Sequence, residues 1–257
     1  MNIFSNKFFL PNKENRETHR LFQQQTTPPI YHYHIRKTGG TSINFAFLSH
    51  SDAPDLDNFY RKLARKKNSR LIANERVFVG WNKRLIEGGK YFYAFSHTPA
   101  HELQIPKNTF TFTCLRDPAR RVISHYKMLR YYQENNIAHP CMRVEGAWLG
   151  DSFDDFLENI PKNHLMNQLY MFSKNYNIEE AEARIRACSY YFFTENMKQG
   201  IADLATQLNL ELPLSHQKKY DIDWHIGESQ MAYLKEKLAL EYRLIEKLQK
   251  LENTNKV

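Results

Sequence analysis

The chain has 257 residues, enough for one sizeable α/β domain with a true core or for two small ones. Hydrophobic residues at 42% and charged residues at 25% place it among ordinary globular proteins. Lys plus Arg outnumber Asp plus Glu by 36 to 28, and the net charge of +8 favours anionic partners: a nucleotide, a sulfated or phosphorylated ligand, nucleic acid or a membrane surface. With 17 Phe and 15 Tyr, the core and the pockets are expected to be rich in rings.

Three cysteines, Cys114, Cys141 and Cys188, form no CxxC and no even disulfide set, so reduced thiols in a cytoplasmic protein are expected. Cys114 lies in an apolar run and reads as a core residue. Met1 to Leu10 is too short and too polar for a signal peptide. No stretch approaches the roughly 20 apolar residues that span a bilayer.

In chain order, residues 1–29 read as an irregular N-terminal arm, and residues 30–257 as a single domain. Ile30 to Ile35 is β-prone and runs into a glycine turn, and a helix is expected from about Ser42. The basic run Arg61 to Arg70 reads as a solvated helix face. Further strands are expected at Val77-Phe78-Val79, Tyr91 to Phe95, Phe110 to Leu115 and Tyr190 to Thr194. Helical periodicity marks Pro118 to about Tyr132, Asn196 to Leu208, and Glu228 to about Leu251 with Met231, Leu234, Leu238, Tyr242 and Ile245 on one stripe. Strands alternating with helices predict an α/β fold: a central, mainly parallel sheet flanked by helices on both faces.

Arg36-Lys37-Thr38-Gly39-Gly40-Thr41-Ser42 sits between a strand and a helix. Gly39 and Gly40 let the backbone turn tightly and bring N–H groups close to a ligand. The following helix aims its positive end at the same place. Thr38, Thr41 and Ser42 add hydroxyls and Lys37 a mobile charge, which together make a cradle for a phosphate or phosphosulfate. It is not a Walker A loop, because the lysine precedes the glycines. A plain strand-to-helix turn with capping hydroxyls is the bland alternative.

Phe110 to Pro118 ends a second strand and starts a helix. Pro118 fits the first helical position and Asp117 the N-cap. Arg116 is thereby left at the C-terminal end of a strand, where ligands bind in open α/β sheets, with Ser124 about two turns into the helix. An Arg fork plus a hydroxyl is a phosphate clamp; an ion pair of Arg116 with Asp117 is the alternative.

The segment His34-Ile35-Arg36-Lys37-Thr38-Gly39-Gly40-Thr41-Ser42 resembles the 5′-phosphosulfate loop, H-I-P-K-T-G-G-T-S, of sulfotransferases that use 3′-phosphoadenosine 5′-phosphosulfate (PAPS). Arg36 stands where that pattern has Pro. The resemblance is to the carbohydrate-type branch, which includes the heparan sulfate 2-O- and 6-O-sulfotransferases and bacterial relatives. Leu115 to Tyr126 resembles the same family's 3′-phosphate motif, L-R-D-P-x-x-R-x-x-S-x-Y. Weaker likeness in Ser152 to Leu157, Asn163 to Met171 and Phe193 to Leu210 extends it over roughly residues 30–250.

The resemblance implies a P-loop-like sulfotransferase fold, PAPS as donor, adenosine 3′,5′-bisphosphate as product and no metal. It implies Arg116 and Ser124 on the 3′-phosphate and Lys37 on the bridging oxygen. Late in the chain, Lys218 or Lys219 would close over the nucleotide, or the loop is simply exposed and basic.

Proton abstraction from an acceptor hydroxyl needs a base, and His97, just after a predicted strand, has a suitable ordinary pKa. In the family a His at this place serves as base, although Ser96 stands where Gly is common. His101 and Glu102 are the runners-up. His32 and His34, in the first strand, read as packed residues.

The acceptor is expected to be a sugar hydroxyl on a glycan or glycolipid, or a hydroxylated small natural product; no nucleic-acid partner is expected. Competing readings are a P-loop-type nucleotide kinase, disfavoured by the missing Walker A order, a basic nucleic-acid-binding module, and a non-catalytic relative of the same fold.

Overall fold

The computed structural model of the chain describes residues 13–24, 27–64, 70–215 and 224–254. Its centre is a six-stranded sheet in the order β2-β3-β4-β1-β5-β6. The strands are β1 (Ile30–Tyr33), β2 (Arg70–Ala73), β3 (Arg76–Gly80), β4 (Tyr93–Ser96), β5 (Phe110–Leu115) and β6 (Tyr190–Phe193). Every pairing is parallel except β2 on β3. The expected mainly parallel sheet is therefore present, with an antiparallel strand at one edge.

The central strands are buried on both faces, as a parallel sheet covered by helices requires. Alternation along each strand sorts the apolar residues. Tyr31, Tyr33, Val77, Val79 and Ala94 meet the helices Pro118–Glu134, Phe153–Asn159 and Ile178–Arg186. Ile30, Phe78, Tyr93, Phe95, Phe112 and Cys114 meet the helices Gly40–Leu48 and Met197–Leu208. Cys114 is fully buried, as its apolar surroundings predicted.

Several expectations need correction. The N-terminal arm is not irregular throughout: Lys13–Gln24 is a helix, and Thr18 and Leu21, three residues apart, bury its inner face. Its charged composition hid so narrow a stripe. The basic run is not one helix face. Arg61 and Lys62 close the helix Leu56–Leu63, whereas Arg70 opens β2, which sequence reading missed; residues 65–69 lie outside the described residues. The expected long C-terminal helix is two, Glu228–Lys237 and Ala239–Thr254, bent at Leu238 (φ −98°, ψ 9°). Leu234 and Leu238 are both fully buried, so the apolar stripe continues across the bend. Among the described residues no helix is long and apolar enough to cross a membrane.

Candidate functional site

The C-terminal ends of β1, β4, β5 and β6 open onto one cavity of about 1050 Å³. Sheet register decides which side chains meet there. Tyr33 pairs with Ser96 across β1 and β4, and the His34 N–H continues the ladder to the Ser96 carbonyl at 3.0 Å. The next residues, His34 and His97, are thus neighbours on the same face, with ring centroids 4.4 Å apart. Both line the cavity. His34 is therefore not merely packed: β1 ends at Tyr33, and His34 stands at the sheet's open edge.

The segment after β1 wraps the cavity floor. Lys37 adopts a left-handed conformation (φ 67°), and so does Gly39 (φ 76°), the N-cap of the helix Gly40–Leu48. A Cβ on Gly39 would overlap the Met197 methyl, and one on Gly40 the His34 imidazole. Both glycines are needed for the loop to lie this close to its walls. Lys37, Gly39, Gly40, Thr41 and Ser42 line the cavity together with Arg116 and Ser124. The side chain of Thr38 is the exception among the predicted ligands. It is fully buried, and its hydroxyl donates to the Ile35 carbonyl at 3.0 Å, bracing the loop from within.

Arg36 borders the cavity, but its guanidinium is committed elsewhere. It forms a two-pronged ion pair with Glu145, whose second oxygen lies 2.8 Å from Nη2 and also 2.8 Å from His125 Nε2. Glu145 is buried and was not singled out from the sequence, where nothing separates it from the surface carboxylates around it. Lys37 Nζ reaches the Met128 sulfur at 3.4 Å.

Asp117 caps the helix Pro118–Glu134 as expected, accepting from the Arg120 N–H at 2.8 Å. Arg116 Nη1 donates to the Lys37 carbonyl at 3.0 Å, tying the second segment to the first. Two adjacent residues of the helix Asn167–Phe172 hold both segments from behind. Asn167 Oδ1 accepts from the Arg36 N–H at 3.3 Å. The Gln168 amide makes two bonds to Arg116, accepting from its N–H at 2.8 Å and donating to its carbonyl at 2.9 Å. Burial lowers the Arg116 pKa, but an arginine so placed stays charged.

His97 Nδ1 is bonded to the His34 carbonyl. A carbonyl only accepts, so the ring proton is on Nδ1 and Nε2 carries a lone pair. Burial first, and the Arg36 charge second, lower the His97 pKa to about 3. The imidazole is neutral at physiological pH. His101 and Glu102 sit in the short turn Ala100–Glu102, away from the cavity wall, with the His101 ring against Tyr170. Lys218 and Lys219 lie outside the described residues.

Among the described residues, six cationic side chains border the cavity (Arg36, Lys37, Arg116, Arg120, Lys127 and Lys198) against one carboxylate, Glu195. That imbalance, a tight loop at a helix N-terminus and an arginine at a strand end fit an anionic nucleotide with phosphates at two places. A search of curated proteins finds no match. The family model described as Sulfotransferase family matches residues 20–252, which takes in all six strands and both cavity-lining segments. The expected carbohydrate-type branch is consistent with that family. The chain belongs to the sulfotransferase family, and its activity is the transfer of sulfate.

Proposed function

We propose that the protein transfers the sulfuryl group of PAPS to a hydroxyl of a glycan, a glycolipid or a small natural product, with His97 as general base. The observation that carries this reading is the meeting, in one cavity, of the Lys37–Ser42 loop, Arg116 with Ser124, and an imidazole whose Nε2 lone pair is free of its proton. When bound, PAPS supplies an activated sulfur whose bond to the bridging oxygen breaks as the acceptor oxygen bonds to it.

The residues divide the work by position. The loop N–H groups of Gly39 and Gly40, with Thr41 and Ser42, receive the 5′ end; Lys37 offsets charge on the leaving phosphate. Arg116 and Ser124 take the 3′-phosphate. His97 Nε2 accepts the hydroxyl proton from the acceptor. Arg36 is assigned to holding Glu145 and the loop, a supporting place behind the phosphates, because its fork is already paired. Thr38 contributes through the loop conformation it braces.

The test is a pair of thermal and binding measurements. Adenosine 3′,5′-bisphosphate at a hundred times its dissociation constant is expected to stabilise the protein by about 2.7 kcal/mol. Arg116→Ala is expected to weaken nucleotides bearing a 3′-phosphate by about 1.5–3 kcal/mol and those lacking it far less. A shift with ATP but none with the bisphosphate sinks the donor assignment; equal losses for both nucleotide types make Arg116 a bracing residue only. A panel of alcohols with labelled PAPS then identifies the acceptor.

A further inference from the structure

Three histidines line the cavity, His34, His97 and His139. The first two stand side by side, and their hydrogen-bond partners set them to opposite polarity. His97 has its proton on Nδ1, toward the His34 carbonyl. The state of His34 follows from a buried network behind it. Asn44 Oδ1 accepts from the Tyr93 hydroxyl at 2.7 Å and lies 3.0 Å from His32 Nδ1. That leaves Asn44 Nδ2 facing His34 Nδ1 at 3.3 Å. An amide nitrogen only donates, so His34 Nδ1 is the acceptor and the ring proton sits on Nε2.

Turning the amide over fits worse. It would ask His32 Nδ1 to accept, moving the His32 proton to Nε2. That atom is buried and has no partner among the described residues. An orphaned buried N–H is the rarer and costlier defect; in the orientation found, the orphan is a lone pair. The Nε2 edge of His34 rests on Gly40, so close that a Cβ there would overlap it. Burial keeps the His34 pKa well below its ordinary value, so the ring donates as a neutral group.

We infer that His34 is a further catalytic residue, whose Nε2–H donates to a non-bridging oxygen of the sulfuryl group lodged at Gly39 and Gly40, while Asn44 is a positioning residue that fixes this tautomer. The inference rests on the PAPS reading above. It gives the two histidines complementary tasks: His97 takes a proton from the acceptor, and His34 steadies charge on the group being passed. Identical side chains are told apart only by what stands behind each ring.

The direct test is ¹⁵N NMR of the imidazoles in the unliganded wild-type protein, assigned with His34→Gln and His97→Gln. The expected spectrum shows His34 protonated at Nε2 and His97 at Nδ1; protonation of His34 at Nδ1 overturns the inference. For turnover, the probe is bisphosphate release from labelled PAPS with water as acceptor, which needs no identified alcohol. His34→Phe keeps a ring without a donor and is expected to lower kcat on the order of 10²-fold, with bisphosphate affinity retained. Asn44→Asp places a carboxylate on Nδ1, reverses the tautomer, and is expected to lower kcat similarly. His34→Gln, which returns an amide N–H near Nε2, is expected to recover at least a tenth of wild-type turnover. Unchanged kcat in His34→Phe overturns the catalytic role. If the wild type itself ignores the bisphosphate, the donor reading fails, and the sulfuryl contact falls with it even where the tautomers are as expected.

Discussion

His97→Ala is expected to lower sulfation of any alcohol acceptor by about 10²–10⁴-fold while leaving bisphosphate affinity nearly unchanged. The ring follows β4 directly, and among the described residues its hydrogen bond is to the His34 carbonyl on the neighbouring strand's end, so its removal leaves the Lys37–Ser42 loop and Arg116 in place. The pH profile adds a second readout. Burial holds the free imidazole at about 3, well below its ordinary 6.5, so it remains an acceptor through mild acid. Because kcat/KM reports the free enzyme, its acid limb is expected below the ordinary imidazole range rather than through it. A variant that turns over normally, or one that loses nucleotide binding in step with turnover, removes His97 from the proposed role.

Glu241→Gln is expected to cost about 3–5 kcal/mol of stability, read as a shift in the urea midpoint at unchanged slope. Glu241, on the helix Ala239–Thr254, and Arg121, on Pro118–Glu134, are both fully buried, 3.6 Å apart. One Glu241 oxygen accepts from the Gln168 and Leu169 N–H groups at 2.7 and 3.1 Å, and the other from Gln168 Nε2 at 3.2 Å. A glutamine turns one of those acceptors into a donor and leaves the Arg121 charge uncompensated in the core. Burial already lowers the Arg121 pKa, the sign of a charge held out of water. Since Gln168 also clamps the Arg116 main chain, bisphosphate affinity is expected to fall alongside stability. A loss under about 1 kcal/mol would mean that the pair is far better hydrated than its burial implies.

Most of the sheet was readable because β1, β4 and β5 are short apolar runs with glycine or proline turns nearby, and the two cavity-lining segments stood out because loop, cap and strand-end chemistry leave marks a few residues long. Strands β1 and β4 to β6 fall within three residues of their expected bounds, and Asp117 caps as its position before Pro118 required. What could not be read depends on partners far away in sequence. Glu145 becomes a site residue only through Arg36 and His125, and Gln168 only through Arg116, 52 positions earlier. His34 had a usable signal: like His97, it is the first residue past a strand that ends at the ligand edge. Its membership in a β-prone hexapeptide outweighed that position, because the strand was expected to run two residues longer than it does. Thr38 shows the reverse error. A hydroxyl in a phosphate loop reads as a ligand, yet tight turns also need donors to close on themselves.

The adjacency of His34 and His97 is a property of the main chain, and this governs how the protein tolerates insertions. Loops that join the strands can lengthen or shorten without moving either ring, because the β1–β4 ladder fixes their distance. One residue added within β4 would send the following imidazole to the opposite face of the sheet. Two would restore the face but carry it about 6–7 Å past its partner. For this pair of rings, length changes are thus graded by parity inside two four-residue strands.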